Sequence, residues 1–292
     1  MLEVDVPVLG LRGVTDVHID LLRVAEPHPA YLQSSPEYFM KRLLAAGSGS
    51  IYCLGKAFRA GELGKRHSPE FTMLEWYRVG WDEHRLMDEV FDLLTDVGLA
   101  KEQAKCSAYS YRHIFEEKTG IDPLVCEILS LQRLASEVAN RDFSGEHRSV
   151  CLDLIFSLLV EPTLPGGVVF VHDYPACQAA LAEIKVDADG VAIARRFEIF
   201  CDGIELGNGY YELTDARELR ERFSADNTQR QKMGKELVDA DEKLLAAMAA
   251  GLPSCAGVAL GVDRLLMNIL GAQHIREVLS FTDDFANYIC GK

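Results

Sequence analysis

The sequence predicts an α+β fold, an antiparallel sheet with helices packed on it. Three observations carry this. Strand-like segments lie towards both ends of the chain, a long helical stretch separates them, and Asp202-Gly203 between two of them is a strong hairpin signal.

Taken in order, residues 2–8 alternate Leu2, Val4, Val6 and Val8 against Glu3, Asp5 and Pro7, which predicts a strand. Ser34-Ser35-Pro36-Glu37 predicts a helix start, and the helix runs to about Ala46 and stops at Gly47. The cap is either a Ser34–Glu37 capping box or Ser35, with Pro36 at the first helical position. Residues 51–58 and 71–79 read as strands around a charged loop. Leu86, Val90, Leu93 and Val97 give residues 83–97 an amphipathic helix, and the pattern stays mainly helical to about 165. Strands resume at 168–172, and segments 196–201 and 204–206 flank Asp202-Gly203. Residues 215–250 are polar and helical in two pieces. A short strand at 258–261 precedes a helix that Asp263 opens and Leu270 closes.

With 292 residues, 48% of them hydrophobic and 26% charged, the chain has the make-up of a soluble globular protein. Its net charge of −15 argues against holding nucleic acid by bulk electrostatics, though not against a small basic pocket for a phosphate ligand. None of the eight cysteines are spaced as C-x-x-C, so free thiols in a reducing, cytoplasmic setting are expected. No basic stretch followed by an apolar run opens the chain, and no run of about 18 apolar residues occurs, so neither a signal peptide nor a membrane span is expected.

Five constellations carry chemistry. Arg59, Lys65, Arg66 and His67 cluster in a loop holding Gly61 and Gly64, between strands ending in Phe58 and starting near Phe71. A nucleoside triphosphate needs cations for its phosphates and a flat apolar face for its base. A solvated charged hairpin would look the same. The hairpin Glu198…Asp202-Gly203…Glu205 sets Phe200 against Glu205 and puts Glu198 on the same face. Such diagonal neighbours lie about 7–8 Å apart at Cα and suit a bridging hard cation, or simply face solvent. Asn208 and Glu212 suit a substrate ammonium or a polar surface. Ser34-Ser35-Pro36-Glu37 is first of all a cap. Gly257-Val258-Ala259-Leu260-Gly261-Val262-Asp263-Arg264 lets a ligand approach the backbone and places an arginine at a helix start.

Together these resemble class II aminoacyl-tRNA synthetases. The run 58–71 resembles that class's second motif, and Gly257 to Arg264 its third. The lysine type is closest, through Arg66-His67-Ser68-Pro69-Glu70-Phe71-Thr72-Met73-Leu74-Glu75-Trp76-Tyr77 and Asn208-Gly209-Tyr210-Tyr211-Glu212-Leu213. Closer still is a shorter paralogous family, the elongation factor P–(R)-β-lysine ligases, through Ser34-Ser35-Pro36-Glu37-Tyr38, Leu74-Glu75-Trp76-Tyr77-Arg78 and Gly257-Val258-Ala259-Leu260-Gly261.

The resemblance implies one catalytic domain over 1–292, with a helical insertion at about 83–165 between the second and third motifs. It implies ATP contacts from Arg59, Gly61, Glu62, Arg66, His67, Ser68, Phe71, Glu205, Leu206, Gly261 and Arg264. Arg59, His67 and Arg264 would be catalytic, and Glu198 and Glu205 would hold Mg²⁺. Ser35, Pro36, Glu37, Glu75, Tyr77, Asn208, Glu212 and Ala259 would bind lysine or (R)-β-lysine. Elongation factor P would be the acceptor, with no tRNA and no membrane involved, and the full-length family is expected to form homodimers.

Three departures refine this. Residues 59–62 read Arg-Ala-Gly-Glu where the lysine synthetases have Arg-Asn-Glu, so the adenine-contacting carboxylate is either Glu62, shifted by one place, or missing at Gly61. Ala259 stands where lysyl-tRNA synthetases carry glycine, and its methyl narrows the amino-acid pocket. The long helix expected before the first motif's strand is not in the sequence, and a start upstream of Met1 is the expected explanation. The rival readings are a tRNA-charging enzyme and a catalytically inactive paralogue that acts as a binding module.

Overall fold

A computed structural model of the protein describes residues 1–25, 30–100 and 107–282. The chain forms two compact units, one from Met1–Trp81 with the chain from Leu213 onward, the other from Asp82–Glu212.

In the first unit, Ile51–Phe58 and Glu70–Val79 form a long antiparallel hairpin, with Ile51 opposite Tyr77 and Phe58 opposite Glu70. Cys255–Gly261 joins Glu70–Val79 antiparallel, which sets Ala259 opposite Glu75. Leu2–Glu3 pairs parallel with Ile51 and Tyr52. The strand predicted over 2–8 therefore breaks early. Val4 N–H still donates to the Tyr52 carbonyl at 2.8 Å, but Pro7 has no N–H with which to continue a ladder. Leu9–Gly10 instead pairs with Ala30–Leu32, which also takes Arg23–Val24.

The helix predicted from Ser34 runs over Glu37–Ala45 and ends before Gly47, which takes the left-handed φ of +87°. Of the two caps, Ser35 is the one formed: its Oγ accepts the Glu37 N–H at 3.0 Å. The Ser34–Glu37 capping box does not form, because Ser34 Oγ is buried without a hydrogen-bond partner and Glu37 accepts from Lys41 Nζ at 2.6 Å. Asp215 caps the polar helix Ala216–Lys232, and Asp241 caps Glu242–Gly251, which is apolar where a polar piece was expected and buries Leu244, Leu245 and Met248. Val262–Leu270 closes on Gly271 at φ +66°.

In the second unit, Asp82 caps the helix Glu83–Asp96, whose buried row is Leu86, Val90 and Leu94; Val97 is 39% exposed. The four-residue spacing keeps one stripe against the core, so Leu94 replaces the expected Leu93. Helices Tyr111–Thr119, Ile128–Ala139 and Arg148–Ile155 follow, the last continuing as a π-helical turn over Phe156–Val160. Ser107–Ser110, inside the expected helical stretch, is a strand that pairs parallel with Val168–Pro175. Parallel pairs at Leu2–Glu3 and Ser107–Ser110 make the strand arrangement mixed where an antiparallel one was expected.

Ala192–Cys201 and Ile204–Tyr211 form the predicted hairpin, with Asp202 and Gly203 at φ +48° and +72°. Two successive positive φ values mark the tight turn that matches strand twist. Phe200 faces Glu205 as expected, but the register then slips, and Glu198 faces Asn208 where a regular ladder would give Gly207. Leu206, 1% exposed, is the extra residue, and its burial holds the bulge.

This unit is braced by ion pairs at the buried Glu83. Arg195 donates Nε to Glu83 Oε1 at 2.8 Å and Nη2 to Oε2 at 2.5 Å, and its guanidinium carbon lies 3.5 Å from the Tyr211 ring centroid. Burial alone would raise the Glu83 carboxyl, but hydrogen bonds from Arg195 overcome it and hold its pKa below the usual 4.5. A depressed carboxyl contributes stability that is present above pH 4.5 and is lost as pH falls through the lower folded-state value. Removing Glu83 takes two charge-assisted hydrogen bonds from Arg195, which keeps its contact with Glu183 at 3.1 Å, so Glu83→Ala is expected to cost about 3 kcal/mol in urea unfolding at pH 7. A loss under about 1 kcal/mol, the range of an exposed pair, would contradict the bracing role.

Among the described residues Cys53, Cys126, Cys151, Cys177, Cys201 and Cys255 are free thiols, as expected; Cys106 and Cys290 lie outside them. No helix among the described residues is long and apolar enough to cross a membrane.

Candidate functional site

The first unit's hairpin builds one group of site residues. Successive side chains on a strand alternate faces, so Phe71, Met73, Glu75 and Tyr77 share one face of Glu70–Val79. Across from them Gly261 pairs with Met73, Ala259 with Glu75 and Gly257 with Tyr77. Glycine or alanine at these positions leaves space above the carboxylate. Glu75 is 2% exposed and accepts from Ser35 Oγ on Oε2 and from the Tyr77 hydroxyl on Oε1, both at 2.7 Å. Two hydroxyl donors suit an ionised carboxylate. Ser35, anchored by the Glu37 N–H, therefore ties the helix start to the sheet, while Pro36 forms the turn between them. Glu37 belongs to the same turn, with its carboxylate on Lys41.

The loop at the hairpin's end builds the second group. Arg59 N–H donates to the Pro69 carbonyl at 2.9 Å and Ala60 N–H to that of Asp20 at 2.7 Å, which closes the loop's base. Gly61 supplies a left-handed turn at φ +76°. The Arg59 guanidinium carbon lies 5.2 Å from the Phe71 ring centroid and Nη1 lies 3.7 Å from Glu62 Oε1. Its Nε is buried with no hydrogen-bond partner. The loop's carboxylate beside Arg59 is that of Glu62.

The far side of the loop is held by the helix Val262–Leu270. Arg264 donates Nε to the Arg66 carbonyl at 3.3 Å, and its Nη2 lies 2.6 Å from His67 Nε2. Arginine carries donors only, so His67 Nε2 accepts and the imidazole is neutral. Ile275 N–H donates to the Lys65 carbonyl at 2.7 Å, and Gly64 N–H to that of His67 at 3.2 Å, so the loop bearing Ser68 has a defined path. Asp263, whose part the sequence did not disclose, accepts the Thr72 N–H at 2.6 Å and pins the start of this helix to the hairpin.

Partial enclosure of the ring, then the Arg264 charge, lower the His67 pKa from the usual 6.5. We expect its ring protons to titrate below 6.5 in an NMR pH series, and Arg264→Gln to move the midpoint upward. A midpoint that Arg264→Gln leaves in place would remove Arg264 as a cause.

Glu198, Glu205, Leu206, Asn208 and Glu212 lie in the second unit. Glu198 and Asn208 are direct cross-strand partners, Glu205 faces Phe200, and Glu212, 1% exposed, bridges to Ala182. Burial pushes the Glu198 carboxyl up, Arg196 pulls it back and the Glu205 charge pushes it further up. Among the described residues no three of His, Cys, Asp and Glu gather to hold a metal. Two neighbouring carboxylates are a poor cage but fit Mg²⁺, which binds through one or two carboxylates and takes its other ligands from phosphates and water. The buried, unpartnered Arg59 Nε and the aromatic face of Phe71 likewise fit a nucleotide.

Comparison with known proteins shows the family. Residues 2–284 match the family tRNA synthetases class II (D, K and N). The chain is 48% identical to elongation factor P–(R)-beta-lysine ligase of Histophilus somni, over 98% of this chain and 90% of that protein. The protein of the same name from Pasteurella multocida is 46% identical over 96% of this chain and 88% of its own length. That from Vibrio cholerae is 44% identical over the same shares, 96% and 88%.

Proposed function

Since the chain belongs to the class II (D, K and N) tRNA synthetase family, among the elongation factor P–(R)-β-lysine ligases, we infer that it is an ATP-dependent ligase. It activates (R)-β-lysine as an aminoacyl-adenylate and transfers it to a lysine side chain of elongation factor P. One observation supports the assignment of residues best. A single hairpin carries an arginine with a spare buried N–H at its turn and a buried, doubly hydrogen-bonded carboxylate, Glu75, in its strand. An anion receptor and an ammonium receptor on one rigid element suit ATP and a cationic amino acid.

In the first step the substrate carboxylate attacks the α-phosphorus and pyrophosphate leaves. Arg59 neutralises the α-phosphate, Arg66 and neutral His67 donate to the outer phosphates, and Phe71 and Arg264 hold the adenine ring, with Glu62 beside it. Catalysis is positioning and charge neutralisation, and no protein nucleophile is needed. Glu198 and Glu205 would hold Mg²⁺, which supplies further neutralisation of the phosphates when bound. The family resemblance assigns Ser35, Glu37 and Glu75 to one amino group of the substrate, and Tyr77, Asn208 and Glu212 to the other. In the second step an acceptor lysine amine attacks the adenylate carbonyl, forming the amide and releasing AMP. We read 1–292 as one catalytic domain, working in the cytoplasm without tRNA and, in the family's full-length form, as a homodimer.

ATP–pyrophosphate exchange tests the first step. (R)-β-lysine is expected to stimulate exchange more than lysine, and neutral or acidic amino acids not at all. Equal stimulation by aspartate would overturn the substrate class.

A further inference from the structure

Arg196 is a half-buried cation that the reading above leaves without a task. It lies two residues before Glu198 on the strand Ala192–Cys201, so both side chains leave the same face. Its Nη2 donates to Glu198 Oε1 at 2.6 Å, and its Nη1 to the Gln178 carbonyl at 2.8 Å. The guanidinium carbon lies 4.8 Å from the Tyr174 ring centroid and 6.0 Å from that of Tyr210. Gln178, 8% exposed, is itself fixed by Nε2 donating to Asp153 Oδ1 at 2.5 Å. A head group held by two hydrogen bonds and two rings has little freedom left.

The backbone is shaped to the same end. Ala194 faces Tyr174 and Phe197 faces His172, so Arg195 and Arg196 together stand opposite one residue, Asp173. Such a bulge re-aims side chains at functional sites. Arg195 is committed to Glu83, which leaves Arg196 for Glu198. An arginine commonly grips a carboxylate with both arms of its fork. Here the second arm is taken by the Gln178 carbonyl, so Arg196 holds Oε1 and does not occupy Oε2.

We propose that Arg196 is a positioning residue that holds Glu198 by one oxygen and presents the other to the divalent cation shared with Glu205. The inference rests on the reading of Glu198 as a metal ligand. Partners of this kind typically change metal affinity or activity by about 10–100-fold when removed.

The test is the Mg²⁺ concentration giving half-maximal exchange at saturating ATP and amino acid. Mn²⁺ binding beside a non-hydrolysable ATP analogue, followed by electron paramagnetic resonance, gives a readout independent of turnover. Arg196→Met is expected to raise the half-maximal Mg²⁺ concentration and the Mn²⁺ dissociation constant about 10–100-fold while the KM for the amino acid stays within about twofold. Arg196→Lys, which keeps the charge and one donor, is expected to give an intermediate shift and serves if the methionine variant does not fold. Lowered melting temperature with an unchanged metal requirement in the variants that fold would overturn the proposal and leave Arg196 a structural role. Glu198→Gln separates the two layers. A raised metal requirement there, with none at Arg196, sinks only the positioning role. No change at Glu198→Gln sinks the metal assignment itself.

Discussion

Arg59→Ala is expected to lower kcat/KM for ATP–pyrophosphate exchange by at least about 1,000-fold, the upper range for losing one donor preorganised for transition-state charge. The guanidinium is braced by the Phe71 ring at 5.2 Å and by Glu62 at 3.7 Å, and its Nε waits buried without a partner. These contacts stay within one hairpin and its turn, so the melting temperature should change little. Arg59→Lys keeps the charge but not the planar fork, and should recover only a small part of the activity. Exchange within tenfold of the unaltered enzyme in Arg59→Ala would show that another group meets the α-phosphate.

Glu75→Gln should act on the other substrate. The carboxylate accepts from Ser35 and Tyr77 at 2.7 Å each, inside a site where the residue is 2% exposed. Glutamine keeps one acceptor oxygen, turns the other into a donor and removes the negative charge an ammonium needs. One hydroxyl is then left facing a donor, and a buried charge-assisted contact is lost, together about 3 kcal/mol or roughly 100-fold. The expected result is a KM for (R)-β-lysine raised about 100-fold, with that for ATP within threefold. Equal rises in both constants would point to a disturbed hairpin and away from an ammonium receptor.

How much of this was legible beforehand follows from the range of the forces involved. The Asp202-Gly203 turn, the strand Ile51–Phe58 and the stop at Gly47 are decided within a few residues, by φ preference, alternation and capping, and they appear where expected. The strand Ser107–Ser110 was hidden because four residues of mixed polarity carry no clear period, and only the neighbouring strand makes them extended. The bulge at Ile199 and Phe200 was hidden because it depends on where Leu206 finds cover.

The site divides along the same line. Ser35, Glu75 and Tyr77 lie up to 42 positions apart, yet the motif resemblance named all three, and their hydrogen bonds bring them together. What escaped the sequence are groups that act on other residues: Asp263 on the Thr72 N–H, Arg196 on Glu198 and Arg195 on Glu83. A lone Arg-Arg pair in a strand reads as surface charge until the fold shows what each one faces. The choice between the two caps at Ser34 and Ser35 was open for a related reason, since both are local solutions and the contact of Ser35 with Glu75 favours one.

The account's central claim is transfer to a protein. Purified enzyme, ATP, Mg²⁺ and radiolabelled (R)-β-lysine are incubated with elongation factor P in one reaction and with bulk tRNA in another. The account predicts acid-stable label on one lysine of elongation factor P, dependent on ATP, and none on tRNA. Label on tRNA with none on elongation factor P would contradict it.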